Sequence, residues 1–570
     1  RLARVAELAG DARAQLAPAA AARATAALLE IVTLLRQTED ELAAAAGGGD
    51  EAAAAVATLV AEKLDVAQRA LLAAAGVAVD AWVERQTVVP GERLEARAVL
   101  WNAGESDVGE LSLTVAGNAG FRLLAEQPAE PPRGRFATRV TVDRRLELEL
   151  PAGAEPSVPY FLRAPLAGDL YDWHDAAPAE RGAPFEAPPL VLAFRFTAGG
   201  VPIAVEREVV YRHGDQARGE VRRPLRVVPA LEVAVTPPLV VWRIGETTTA
   251  PLAVEVRSNL DRPQRARLEV EVPDGWPAIP PREVAIDEPQ GEQAVTLTVT
   301  APPDLAAGRY PIAVAVAGED GRRYAQAFEL IDYEHVRPTP LPVPARVDVA
   351  AGTIHLPALG RVGYLRGASD RVPESLRAIG VPLELLDAAA LLTGDLTSYD
   401  AIVVGSRAYE TEPALARANG RLLDYVRGGG LLIVQYQQYA FVRGGFAPYP
   451  LDINRPHDRA TDETEPVRLL RPEHPVFHHP NEIRAEDWDG WVQERGLYFA
   501  GTWDEAYAPL LAMADPEGVE RQGALLVAPL GRGTYVYTGL AFFRQLPAGV
   551  VGAYRLFANL LALGEDDDGK

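Results

Sequence analysis

The chain contains no cysteine in 570 residues. Thiolate catalysis, disulfides and cysteine-ligated zinc are therefore excluded. Lysine is confined to Lys63 and Lys570, so nearly all positive charge is arginine. With the heavy use of Ala, Gly and Pro, this reads as compositional bias and not as a site. There is no run of about 18 consecutive apolar residues, so no bilayer span is expected. The first residues also lack the basic-then-apolar order of a signal peptide.

What is present is an acidic, apolar-rich chain. A net charge of −23 and a pI near 4.9 oppose encounter with nucleic acid or an anionic membrane, and no basic run offsets them. At 48% apolar residues, and roughly 150 residues per domain, about four domains can each bury a core. The chain starts at Arg1, directly in helix-forming sequence. It reads as a fragment or processed product whose missing N-terminal part holds chemistry.

Residues 1–76 are alanine-rich, with Pro18 the sole proline, and predict a helical hairpin. Leu28, Ile31, Leu35 and Leu42 share one face, as do Val56, Val60, Leu64, Ala67 and Leu71. Gly47, Gly48 and Gly49 break the pattern, and Asp50 is the expected N-cap of the second helix of that hairpin. Such a stripe more often packs on a neighbouring domain than forms a free coiled coil.

After Gly76 the apolar period changes to two. Leu94, Ala96, Ala98 and Leu100 alternate with Arg93, Glu95, Arg97 and Val99, and turn signals such as Pro90-Gly91 recur, predicting a β-sandwich over 77–228. A second all-β block over 229–334 repeats the phrase: Gly245-Glu246 and then Asn259, as Gly91-Glu92 precedes Asn102. Within it, Val272-Pro273-Asp274-Gly275-Trp276 and Ala307-Gly308-Arg309-Tyr310 resemble the Ig-like domain associated with bacterial alpha-galactosidases and other secreted glycan-processing proteins. A sandwich tryptophan is usually a core residue, so no sugar site is assigned to Trp242 or Trp276. The loop Tyr171-Asp172-Trp173-His174-Asp175 mixes rings, imidazole and carboxylates, and metal or sugar binding competes there with a plain solvated loop.

Pro338, Pro340, Pro342 and Pro344 alternate through 335–354, predicting an extended linker that cannot join a central strand. Over 355–564, strand-like and helix-like segments alternate in the βαβ manner, with near-continuous apolar strands that imply a parallel sheet covered on both faces. Residues 565–570 form an acidic tail. The order of 355–564 resembles the flavodoxin-like class I glutamine amidotransferase fold and its trehalose-utilisation relatives. That family places a cysteine after the strand that here reads Leu431-Leu432-Ile433-Val434, whereas Gln435, Tyr436 and Gln437 stand in this chain and cannot become thiolates. Ser406 lacks the Gly-x-Ser-x-Gly elbow. His474, His478 and His479 are interrupted by Pro475 and Pro480, so an i, i+4 metal pair on a helix is not expected.

Ligands of open α/β sheets bind at the carboxyl ends of the strands. Arg407, Tyr409, Gln435, Gln437, Asp462 and Arg544 are the residues expected to converge there, forming a pocket for a small polar ligand or a seat for another domain. As a whole, phrases such as Asp215-Gln216-Ala217-Arg218-Gly219-Glu220, Asp370-Arg371-Val372-Pro373-Glu374, Trp491-Val492-Gln493-Glu494-Arg495-Gly496 and Tyr537-Thr538-Gly539-Leu540-Ala541-Phe542-Phe543 make the chain similar to the C-terminal region of bacterial PIG-L (LmbE-like) deacetylases. That resemblance implies an exported, zinc-dependent N-acetyl-sugar deacetylase, with zinc confined to the missing catalytic domain. It also implies that the partners are that domain and glycan. The His-Pro-Asp-Asp run of the family is absent: His474-Pro475 and His479-Pro480 are followed by Val476 and Asn481. No metal or catalytic residue carries over. The leading expectation is a non-catalytic accessory region, and its rival is a hydrolase using Arg407, Gln435 and Asp462.

Overall fold

A computed structural model of the chain describes residues 1–16, 21–47, 51–109, 111–129, 140–168, 170–178 and 180–564. Pro18, Gly48, Gly49, Asp50 and the tail 565–570, all singled out in the sequence, lie outside these. The protein is multidomain and β-rich, with a helical N-terminus. No helix among the described residues is long and apolar enough to cross a membrane.

The N-terminal segment holds three long helices, Leu2–Gln15, Thr25–Gly47 and Glu51–Ala75, one more than the expected hairpin. The first has its own buried stripe, Leu8 and Ala12. Arg1 and Arg4 tie it to Glu41 and Glu30 of the second. Val32, Leu64 and Leu71 belong to one core with Leu94, Leu148 and Phe194 of the first sandwich, so the apolar stripes are packed on a neighbour. Val56 is exposed despite its place in the stripe.

In the first sandwich, Arg93–Asn102 pairs antiparallel with Val77–Val83 and Val140–Glu149 inside a six-stranded sheet. Leu94, Ala96, Ala98 and Leu100 are buried while Arg93 and Glu95 face water, as the period of two requires. The opposing sheet is Ser112–Ala116, Val191–Ala198 and Val201–Glu208. In the second sandwich, Leu231–Thr236, Thr249–Ser258 and Glu292–Thr300 form one sheet. The repeated phrase recurs as structure: Gly91 (φ 89°) and Gly245 (φ 86°) both turn in the left-handed region.

The segment 335–354 is not a linker. Thr339–Pro344 pairs antiparallel with Gln326–Ile331, and Arg346–Gly352 lies between Leu239–Arg243 and Gly308–Gly318 inside the second sheet. The alternation of the prolines explains this. Pro340, Pro342 and Pro344 oppose Leu330, Phe328 and Gln326, while Ala345 N–H donates to Ala325 O at 2.9 Å. Every second residue donates to the partner strand, so every missing N–H faces the free edge. The prolines stop before the strand that becomes central.

The C-terminal sheet runs in the order Leu383–Leu385, Val362–Leu365, Ala401–Val404, Leu431–Gln435, Gly533–Thr538, Leu525–Leu530, Ala508–Pro509. The first five are parallel and the last two antiparallel. Successive residues bury on opposite faces. Tyr364, Val403 and Ile433 pack with Tyr554 and Phe557 of helix Val551–Ala562. Leu365, Ile402, Val404 and Val434 pack with Leu415 and Leu422 of helix Pro413–Arg427. The order reverses direction between Val362–Leu365 and Ala401–Val404, which places a crevice at their carboxyl ends.

Candidate functional site

Where the two strands diverge, the chain is drawn together instead of left open. A Cβ on Gly405 would lie 2.1 Å from Asp370 Oδ2, and one on Gly367 would lie 1.9 Å from Ser406 O, so only glycine permits this crossing. Asp370 is buried there. Its Oδ2 accepts from Tyr364 Oη at 2.7 Å and Gly367 N at 3.1 Å, and its Oδ1 accepts from Val372 N at 3.1 Å. Burial pushes its carboxyl above the ordinary range, with these donors pulling the other way. Gln435 Nε2 donates to the same Tyr364 Oη at 2.7 Å. Asp370, Tyr364 and Gln435 are thus a buried polar chain that locks strand to strand.

The six expected residues do not form one pocket. Gln437 is fully engaged: Oε1 accepts Tyr409 N at 3.1 Å, and Nε2 donates to Gly405 O and Gln435 O, each at 2.9 Å. Tyr409 is buried, donates to Asn419 Oδ1 at 2.6 Å and stacks on Phe446 with centroids 4.8 Å apart. Both hold the turn and are not ligand groups. Asp462 belongs to the insertion, where Oδ1 accepts from Thr464 N and Oγ1 at 2.9 and 2.6 Å and its N–H donates to Asp515 Oδ1 at 2.8 Å. Its carboxylate completes a local turn, a role that Thr464 two residues on already announces.

Arg407 and Arg544 do reach the strand ends, in company the sequence did not specify. Arg407 sits in the left-handed region (φ 61°) and its N–H donates to Tyr436 O at 2.9 Å. Tyr436 lies with Gln437 in the turn that follows strand Leu431–Gln435. Its ring stacks on Tyr498, centroids 5.6 Å apart and planes 11° from parallel, and Tyr498 stacks in turn on His457 at 3.8 Å and 8°. Tyr439 meets Tyr498 edge-on at 5.8 Å, Phe543 leans on Tyr436 at 5.4 Å, and the Arg455 guanidinium lies over Tyr439 at 4.5 Å. Arg544 Nε donates to buried Glu494 Oε1 at 2.7 Å, and its NH1 group donates to Gln493.

The electrostatics come from partial burial. It raises the phenols of Tyr436 and Tyr498 above their usual range and lowers the imidazole of His457. Glu410 accepts Gln438 N at 3.2 Å on Oε1, leaves Oε2 buried without a partner, and is pushed up by burial. Ser406 Oγ, Arg407 Nε and Gln435 Oε1 are likewise buried without partners among the described residues. The sequence reading missed Tyr439, Tyr498, Glu410 and Glu494. Tyr436 and Tyr439, three apart after a strand, are a legible signal, but nothing in sequence ties them to Tyr498.

Elsewhere, no group of three or more His, Asp or Glu among the described residues could hold a metal ion. His474 caps a short turn by accepting Val476 N at 3.2 Å, and His478 contacts Glu482 and Pro472 O. In the first sandwich the loop 171–175 exposes Tyr171 and Trp173, with Trp173 lying parallel to Tyr160 at 5.8 Å and His174 held by Asp172 and Asp175. Trp276 and Trp242 are core residues of the second sandwich, edge to face at 5.8 Å.

Residues 243–318, within the second sandwich, match the family model described as NPCBM-associated, NEW3 domain of alpha-galactosidase. No curated protein matches the chain. Among solved structures, a DUF4785 family protein from Legionella pneumophila is similar at 12% identity over 47% of this chain and 57% of that one, with a TM-score of 0.16. A beta-galactosidase from a Rahnella species shows 14% identity over 36% and 31%, TM-score 0.20. A family 123 glycoside hydrolase from Clostridium perfringens shows 8% identity over 30% and 38%, TM-score 0.14. The chain thus spans between about a third and somewhat over half of the length of these three structures.

Proposed function

We propose that the chain is a non-catalytic accessory region of an exported glycan-processing protein, holding glycan beside a catalytic domain. The observation that carries this reading is the NEW3-type match over 243–318, a module described with alpha-galactosidase. The exposed rings of Tyr171 and Trp173 on the neighbouring sandwich add a surface on which sugar rings stack. At the finer level, the strand order of the C-terminal sheet supports a flavodoxin-like domain related to class I glutamine amidotransferases, with Gln435, Tyr436 and Gln437 at the turn where that family has its cysteine. The phrases at 215–220, 370–374, 491–496 and 537–543 support a PIG-L-type parent whose zinc site lies outside this chain. Nothing in the geometry favours the rival hydrolase: Asp462 is engaged in its own turn.

The test is retention of the purified chain on a panel of soluble and insoluble polysaccharides, alongside assays for acetate release with added zinc and ammonia release from glutamine. Retention on at least one polysaccharide, reduced by the pair Tyr171→Ala and Trp173→Ala, is the expected result, with no turnover in either assay. Retention on none, or zinc-dependent acetate release above a chelated control, would overturn the reading.

A further inference from the structure

We propose that the cluster of Arg407, Tyr436, Tyr439, His457 and Tyr498 at the strand ends binds a single carboxylate-bearing sugar unit, with the Arg407 guanidinium pairing the carboxylate. This names the ligand class for the glycan-holding function and rests on that reading for its sugar component.

The first argument is charge. In this domain, Arg544 pairs with Glu494 at 2.7 Å, Arg361 with Glu384 at 2.6 Å, Arg468 with Glu520 at 2.7 Å, and Arg366 with Glu374. Arg407 has neither an ion pair nor a side-chain hydrogen bond among the described residues, although its Nε is hidden from water. A chain of net charge −23 has no shortage of carboxylates, yet among the described residues none makes an ion pair with this half-buried cation, Glu410 acting on it only at longer range. Leaving such a donor without an acceptor is costly, and a planar carboxylate fits the guanidinium fork. Glu410, three residues on, does not serve, because Oε1 accepts Gln438 N and Oε2 is buried. Burial pushes its carboxyl up, with Gln438 N–H and the charge of Arg407 pulling the other way.

The second argument is shape and polarity. Tyr498 is engaged by both Tyr436 and His457, so the ring surface left for the C–H face of a sugar is that of the half-buried Tyr439 and His457 at the edge of the stack. The hydroxyls of Tyr436, Tyr439 and Tyr498 have no hydrogen-bond partner among the described residues and are not sealed from water. They can donate to or accept from ring hydroxyls. Arg455, whose guanidinium lies over Tyr439, is a second cation with no ion pair among the described residues, and phosphate is therefore the competing anion in the test.

The third argument is backbone strain. Six non-glycine residues among those described have φ in the left-handed region, and Arg407, Tyr498 and Gln493 are three of them. Gln493 accepts from Arg544, whose neighbour Phe543 packs on Tyr436. Such conformations are strained and gather at ligand sites, where they aim side chains.

The test uses the full chain in titration calorimetry with glucuronate, galacturonate, methyl glucoside, acetate and inorganic phosphate. The uronates are expected to bind at least tenfold more tightly than methyl glucoside or acetate, and to weaken as salt is added. Arg407→Asn, which tolerates the left-handed backbone, should lower uronate affinity about tenfold or more with the melting temperature unchanged; Tyr439→Ala should weaken it without restoring neutral-sugar binding. Equal affinity for uronate and methyl glucoside, phosphate bound more tightly than uronate, an unaltered Arg407→Asn, or no binding would overturn the proposal. Polysaccharide retention through the 171–175 loop is read separately. If it persists while uronate fails, only this proposal falls; if uronate binds while retention fails, only the accessory reading does.

Discussion

The imidazole of His457 lies flat on the ring of Tyr498, with centroids 3.8 Å apart and planes 8° from parallel. The contact joins the insertion around 455–460 to strand Gly496–Phe499, and through Tyr436 it reaches the end of strand Leu431–Gln435. Burial, with help from Arg459, lowers the imidazole below 6.5, while Glu494 and Asp458 pull it back up. The folded state therefore binds fewer protons here than the unfolded chain just below pH 6.5. Stability rises with pH through that window and is lost as pH falls through it. Urea unfolding between pH 5 and 7.5 should show a smaller pH slope for His457→Phe than for the parent. An unchanged slope would mean that the ring titrates freely. His474, also half-buried, is lowered by burial and adds slope of the same sign, whereas His174 and His478, raised by hydrogen bonds to Asp172 and Pro472 O, add slope of the opposite sign.

Tyr364 Oη stands between Asp370 and Gln435, donating to the first and accepting from the second. Tyr364→Phe leaves Gln435 Nε2 without its acceptor in a site closed to water, and should destabilise the chain by about 1–3 kcal/mol in denaturant unfolding. In a double-mutant cycle with Gln435→Leu, the two losses should not add, with a coupling of roughly 0.5–3 kcal/mol. Additive losses would show that the hydrogen bond contributes nothing.

Two glycines of the same domain should respond with opposite signs. Gly405→Ala drives a methyl to 2.1 Å from Asp370 Oδ2 and 2.7 Å from Gly367 N, so its loss should exceed that of Tyr364→Phe. Gly420 lies inside helix Pro413–Arg427 with nothing within 4 Å of its would-be Cβ. Gly420→Ala should stabilise by about 0.5–1 kcal/mol. Thermal unfolding of both variants checks the pair.

The edge hairpin gives a positional contrast. Val343, opposite Ala327, has the same parity as Ala345 and so faces the partner strand; Val343→Pro removes that ladder donor, leaves its acceptor unpaired and should cost about 1–3 kcal/mol. Pro342→Ala adds a donor on the free edge and should change stability by less than about 0.5 kcal/mol. Equal effects would contradict the register.

Much of the architecture was legible because period and burial are linked. Alternation in 94–100 could only be a half-buried strand, and the near-continuous apolar runs at 362–365, 401–404 and 431–434 could only be strands covered on both faces. The proline-rich stretch misled because proline's effect in a sheet depends on which edge its missing N–H faces, and that is fixed by the register against 326–331. The first helix escaped notice as a separate element because its stripe of Leu8 and Ala12 is short and weak next to those of its neighbours.

The sequence by itself determined the order of helical segment, sandwiches and α/β domain, and it removed thiol chemistry outright, since composition and local periodicity act without reference to distant residues. It also brought Arg407 and Tyr436 to the ends of adjacent strands. Tertiary structure alone decided what those residues do. It gave Gln437 and Tyr409 to the turn and Asp462 to a local loop, left Arg407 without an ion pair among the described residues, and laid Tyr436 and His457 on Tyr498. The reason is physical: hydrogen-bond satisfaction and ring stacking are settled between atoms that lie tens of residues apart in the chain and meet only after the sheet and its insertion have packed.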